Sequence, residues 1–147
     1  MVQDKIKKHI RHILVGTISV VLIATMSVCA FANDTGTFMY GTNHTAGYSL
    51  SGTLTGPSIF ASTNMISGSA SDTLSVYLRG QYYDLLNNQY VPAAPSQGTA
   101  QGSSVTTIIS KPSGVYYLWN VAISEHRAQD VMGNSNRAIA QIGFEWQ

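Results

Sequence analysis

Glu125, His126, Arg127 and Asp130 form the densest run of ionisable side chains in the sequence. A histidine flanked by carboxylates is the arrangement that lets an imidazole act as a general base. On an extended chain Glu125 and Arg127 share one face and His126 takes the other. Such a base needs a nucleophile, and the chain contains no Gly-x-Ser-x-Gly elbow to present one. The run therefore reads as the solvated end of a strand carrying an exposed ion pair, which contributes little, and no residue is assigned a catalytic role. His44 and His126 are the only histidines beyond position 32. They are far apart and there is no His-x-x-x-His spacing, so neither a metal site nor a cofactor is expected.

Aromatic residues give the stronger signal. Tyr82-Tyr83 and Tyr116-Tyr117 are adjacent pairs, and in an extended segment one ring of each pair faces the core while the other faces out. Tyr77, Tyr83 and Tyr116 fall on the polar faces of their segments, among Ser, Thr, Asn and Gln. Outward tyrosines in such company are suited to holding a sugar, a peptide or another protein. These three are the expected binding residues.

The segments that carry them alternate with a period of two. In 72–83, Leu74, Val76, Leu78 and Tyr82 point one way, while Thr73, Ser75, Tyr77, Arg79, Gln81 and Tyr83 point the other. In 115–129, Val115, Tyr117, Trp119, Val121 and Ile123 form one face, opposite Tyr116, Leu118, Asn120, Ala122 and Ser124. In 137–146, Ala138, Ala140, Ile142, Phe144 and Trp146 alternate with polar residues. Residues 46–56, 58–66 and 103–110 read as further strands, with Gly52 marking a bulge or a close contact. Residues 33–45 read as a turn-rich lead-in with one short strand at most, and 84–102 as the longest irregular stretch. Short Gly, Pro and Asn turns link the strands, and the chain shows no fixed-period repeat. The expected fold is all-β, an antiparallel β-sandwich of six or seven strands in a single domain, 33–147.

Residues 1–32 read as a cleavable signal peptide. Lys5, Lys7, Lys8 and Arg11 precede the uncharged run from Ile13 to Val28, and Ala30-Phe31-Ala32 supplies a small–x–small site before Asn33. The uncharged run to Ala32 is also just long enough to remain as an anchor. Cys29 is the only cysteine, and Val28 before it is unlike the small residue that precedes a lipidated cysteine. Cleavage would leave a cysteine-free extracellular chain, held by packing and strand pairing alone, with no stable membrane span. Residues 33–147 carry four basic and six acidic side chains, a net charge of −2. That balance excludes a nucleic-acid partner. It leaves a cell-envelope component or another protein.

Several short pieces resemble the lactococcin 972 family of secreted bacteriocins: Gly36-Thr37-Phe38 with Gly41, Tyr48-Ser49, Gly114-Val115-Tyr116 and Phe144-Glu145-Trp146. Members of that family are small, cysteine-free β-sandwich proteins made with a signal peptide. The pieces occur in the family's order and cover under a fifth of the chain, and 50–70 and 84–102 stand as extra material. The resemblance implies interference with cell-wall synthesis by binding a precursor, without covalent chemistry. An alternative that needs no such resemblance is a secreted or cell-surface binding or structural module.

Overall fold

The computed structural model describes residues 31–144. Residues 1–30, which hold most of the segment read as a signal peptide and Cys29, and residues 145–147, with Glu145 and Trp146, lie outside the described residues. Nine strands run in order: β1 (Phe31–Gly41), β2 (His44–Thr53), β3 (Ser58–Ser67), β4 (Thr73–Asp84), β5 (Gln89–Pro92), β6 (Ser96–Gln101), β7 (Ser104–Ser110), β8 (Tyr117–Gln129) and β9 (Ser135–Gly143). All pairings are antiparallel. One sheet has the order β1-β2-β3-β7, and the other has β5-β4-β8-β9 with β6 also on β4. The two sheets bury a common core around Leu50, Leu54, Ile59, Leu74, Val76, Leu78, Ile109 and Trp119.

The all-β antiparallel expectation holds, and the strand count rises to nine because 84–102 is not irregular. Ser96–Gln101 pairs with Thr73–Leu78, and Gln89–Pro92 pairs with Gln81–Asp84. The two segments thus share the free edge of β4 between them. Pro92 and Pro95 hid this, yet both suit an edge: Pro92 ends β5 and Pro95 falls between the two short strands. The lead-in is likewise one strand of eleven residues, β1. Its alternation is masked because its outward positions are Asn33, Thr35 and Thr37, and its inward ones include Asp34 and Gly36.

Strand β8 corrects the sequence reading most. It starts at Tyr117, and its register on β4 slips between Gln81 and Tyr82, so that Gln81 faces Val121 but Tyr82 faces Trp119. Asn120 is the extra residue of a bulge. Leu118 and Trp119 are both buried before it, and Ala122, Ser124, His126 and Ala128 are buried after it. Val121 and Ile123 therefore turn outward, against expectation. Gly52 marks a close contact in an unbroken ladder: a Cβ there would meet the Ile59 side chain at 2.8 Å.

The seams between the sheets are closed by side chains. On one side the Asp34 carboxylate accepts from the Gln141 amide at 2.9 Å, and Asn136 donates to the Met39 carbonyl at 2.8 Å. On the other, Ser96 and Thr107 share a hydroxyl hydrogen bond at 2.7 Å.

The alternation in β4 sets a simple test of facing. Leu78 is fully buried and Arg79 is exposed. Leu78→Ala is expected to cost about 2–5 kcal/mol, and Arg79→Ala to stay within about 0.5 kcal/mol. Denaturant melts showing equal losses would refute the assignment.

Candidate functional site

Direct cross-strand partners in an antiparallel sheet share a face, so the register reads out the outer surface of the five-stranded sheet row by row. Ser75, Arg127 and Arg137 form one row, Tyr77, Glu125 and Ile139 the next, then Arg79, Ile123 and Gln141, then Gln81, Val121 and Gly143. Tyr77 is 42% exposed, and Ile139 is exposed beside it. Four adjoining grooves of about 220–370 Å³ lie on this surface and share lining residues. The most apolar, about 310 Å³, runs between Tyr77, Val121 and Ile123 on one side and Pro92, Ala93 and Pro95 on the other. Its floor includes Gly80, where a Cβ would collide with Ile109 at 2.7 Å.

Of the three expected binding tyrosines, only Tyr77 lies here. Tyr83 is six residues further along β4, about 20 Å away. Its half-buried ring packs edge-on against Tyr90 at 4.9 Å between centroids, and its hydroxyl bonds the Asn88 side chain. Tyr116 is 48% exposed but sits in the turn before β8, not on a strand face. Its carbonyl accepts from the Leu85 amide at 2.9 Å, which brings it to the end of the sheet where Tyr83 lies. Tyr77 lines the grooves, and Tyr83 and Tyr116 lie beyond their end. Val121 and Ile123, which the bulge at Asn120 turns outward, complete the groove in their place.

The Glu125-His126-Arg127 run divides as the alternation requires. Glu125 and Arg127 face out, but His126 is fully buried and is not part of a solvated strand end. Its Nε2 lies 2.6 Å from Ser124 Oγ and its Nδ1 2.9 Å from Thr63 Oγ1. The Thr63 hydroxyl gives its one hydrogen to the Ser75 carbonyl at 3.1 Å, so towards His126 it accepts. Nδ1 therefore carries the proton and Nε2 accepts from Ser124. Burial pushes the imidazole down to about 4, against an opposing pull from Asp34. Sequence reasoning found no nucleophile for His126; Ser124 stands within reach of it. Both groups are sealed in the core under the Tyr48 ring, 5.2 Å from the imidazole, where no substrate carbonyl can enter.

A second polar cluster escaped the sequence reading. The β1–β2 turn, the segment before β4 and the β8–β9 turn meet at one end of the sandwich. Asp72, fully buried, accepts from the Tyr40 hydroxyl at 2.8 Å and the Ser69 amide at 2.9 Å. His44 Nδ1 lies 2.9 Å from the same oxygen without the alignment of a hydrogen bond. Burial pushes the Asp72 carboxyl up, but the amide, the hydroxyl and His44 outweigh it and hold the group below its usual range. Burial and the bond to Asp72 push the Tyr40 phenol up. Asp130 accepts from the Asn134 side chain and from the Met132 and Asn134 amides, and these hold its carboxyl low. The partners lie up to 32 residues apart in sequence, so spacing gave no clue to the cluster. Asp72 ties β1 to the segment before β4, and Asp130 braces the β8–β9 turn beside them. Among the described residues, no group of three His, Cys, Asp or Glu side chains is arranged to hold a metal ion.

The outer surface of the four-stranded sheet is different again. Its rows run Thr35–Ser49–Ser62–Thr106 and Asn33–Ser51–Phe60–Ile108, with Ser49 and Ser62 hydrogen-bonded across strands at 2.8 Å. These two rows carry no charged side chain. No protein-family model matches the chain, and no match is found among curated proteins.

Proposed function

We propose that the protein is a secreted, non-enzymatic effector of the bacteriocin type, which acts on the envelope of other bacteria by binding. The observation that carries this reading is the coincidence of four adjoining grooves, an exposed tyrosine and outward Val121, Ile123 and Ile139 on one sheet face. An apolar groove with a few polar groups converging on it is the usual form of a binding site. His126 is engaged in the core and Asp72 in loop anchoring, away from this face. The signal-like N-terminus and the bacteriocin resemblance support the same reading.

Growth inhibition by purified protein is the direct test. Tyr77→Ala combined with Ile123→Ser is expected to abolish inhibition with little loss of stability, because both side chains stand on the outer face. Tyr116→Ala, in the turn before β8 and outside the lining of that groove, is expected to leave it intact. Inhibition lost with Tyr116→Ala and retained in the double variant would refute the assigned face.

A second reading is a secreted or cell-surface binding or structural module. The two uncharged rows of the four-stranded sheet, one of hydroxyls and one with exposed Phe60 and Ile108, favour it, since a neutral face suits contact with a neutral surface. Fractionation separates the two readings: an effector is found in the medium, a module on the producer's own surface. Intact mass of the secreted form also checks cleavage before Asn33. Cleavage there removes the first two rungs of β1, Phe31 on Thr53 and Ala32 on Gly52.

A further inference from the structure

All three arginines of residues 31–144 stand on the outer face of the five-stranded sheet. Arg127 on β8 and Arg137 on β9 are direct cross-strand partners, and Arg79 lies two rows away on β4. Like charges placed directly opposite on neighbouring strands destabilise a sheet. Glu125 offsets only part of this, reaching Arg137 at 3.6 Å from the next row. The other carboxylates do not help. Asp72, Asp84 and Asp130 are buried and hold turn amides, and Asp34 is spent on the Gln141 amide at the seam. Charge is thus segregated: the aspartates fasten loops and seams, Lys111 is buried against the Thr55 carbonyl, and the three arginines share one open face with Glu125.

Arg127 stands between two polar grooves. One, of about 370 Å³, is lined with Arg137, Ser135, Asn136 and Glu125. The other, of about 220 Å³, is lined with Tyr77, Ser75, Gln97 and Thr99 and again by Glu125, whose carboxylate leans towards Arg137. The face is open and broad, so it suits an extended chain lying across the strands. Guanidinium forks match planar carboxylates bidentately. The flat, half-exposed Tyr77 ring beside them offers a platform for the apolar face of a sugar ring. Deepening the binding reading above, on which it rests, we propose that this face binds a carboxylate-bearing polysaccharide, with Arg127 and Arg137 clamping a uronate and Tyr77 stacking on the adjacent ring. The ligand's charge would relieve the Arg127–Arg137 repulsion, which gives the juxtaposition a physical reason.

The test is direct binding of the purified full-length secreted protein to polygalacturonate, with dextran as the neutral control and polyglutamate as the acidic peptide. Polygalacturonate is expected to bind, with affinity falling as salt rises, and dextran is not. Arg127→Gln with Arg137→Gln is expected to weaken binding at least tenfold and to leave the melting temperature unchanged or higher. Tyr77→Ala is expected to weaken binding of polygalacturonate several-fold and to leave any polyglutamate binding unaltered. Unchanged affinity in the double arginine variant would overturn the proposal. So would equal binding of polyglutamate with no effect of Tyr77→Ala, which would make the face a site for acidic peptides. The readout is independent of growth inhibition: a protein that binds the polymer but inhibits nothing refutes the effector reading alone, and one that inhibits without binding it refutes this inference alone.

Discussion

Trp119→Ala is expected to cost about 3–5 kcal/mol, a large part of the 5–15 kcal/mol or so by which a domain of this kind is stable. Trp119 is the largest fully buried side chain among the described residues. It sits where the bulge at Asn120 lets β8 bury two consecutive residues. Its ring packs edge-on against Tyr82 at 6.0 Å, at 87°. Its indole N–H donates to the Gly56 carbonyl at 2.9 Å, and its backbone amide donates to the Leu54 carbonyl at 2.9 Å. The residue therefore joins the β2–β3 turn to the opposite sheet as well as filling the core. Truncation opens a cavity that the neighbouring strands cannot close and leaves the Gly56 carbonyl unpaired. Trp119→Phe keeps much of the ring volume and loses the donor, so its cost falls between that of Ala and zero. Urea melts decide it, and a loss under about 1 kcal/mol for Trp119→Ala would show that the site collapses freely.

The second large effect is a pH dependence. The His126 imidazole is held neutral in the folded state, at about 4, while in the unfolded chain it titrates near 6.5. Above pH 6.5 or so both states are neutral and the group contributes no slope. As pH falls through the window from about 6.5 to about 4, the unfolded chain takes up a proton that the folded core refuses, so stability falls. The loss levels off below the folded value and amounts to about 3 kcal/mol. Asp72, Asp84 and Asp130 act in a separate window. Their carboxyls are held below the usual range, so their contribution is present above about pH 4 and is lost as pH falls further. Urea melts between pH 7.5 and 4 should show the histidine slope, and His126→Leu should flatten it in that window. A slope that survives the substitution would assign the effect to another group.

What the sequence made legible follows from how local each signal is. The alternation of β4 is strict over its whole length, and Leu74, Val76, Leu78 and Tyr82 are buried as read. Strands β2, β3 and β7 were likewise visible, since their apolar positions repeat at two. Strand β8 was legible only as a strand. A single inserted residue reverses the facing of everything after it, and the slip at Asn120 depends on pairing with β4, which one segment cannot report. The same slip sent His126 inward and Val121 and Ile123 outward. Tyr77 faces outward as read because β4 carries no bulge before it. Tyr83 and Tyr116 were grouped with it because sequence gives facing and not distance. Residues 84–102 were read as irregular because two short edge strands around prolines carry too few apolar residues for alternation to show.

The seam that joins β1 to β9 links residues 107 and 97 positions apart, Asp34 with Gln141 and Met39 with Asn136. Such contacts need β1 and β9 together, so this seam cannot close until β9 has been made. Ordering so much chain before distant contacts reward it makes folding slow, as in other sandwiches dominated by non-local pairing. Until β9 docks, the Asp34 carboxylate and the Met39 carbonyl stay without these partners, so closing this seam is a late step in folding.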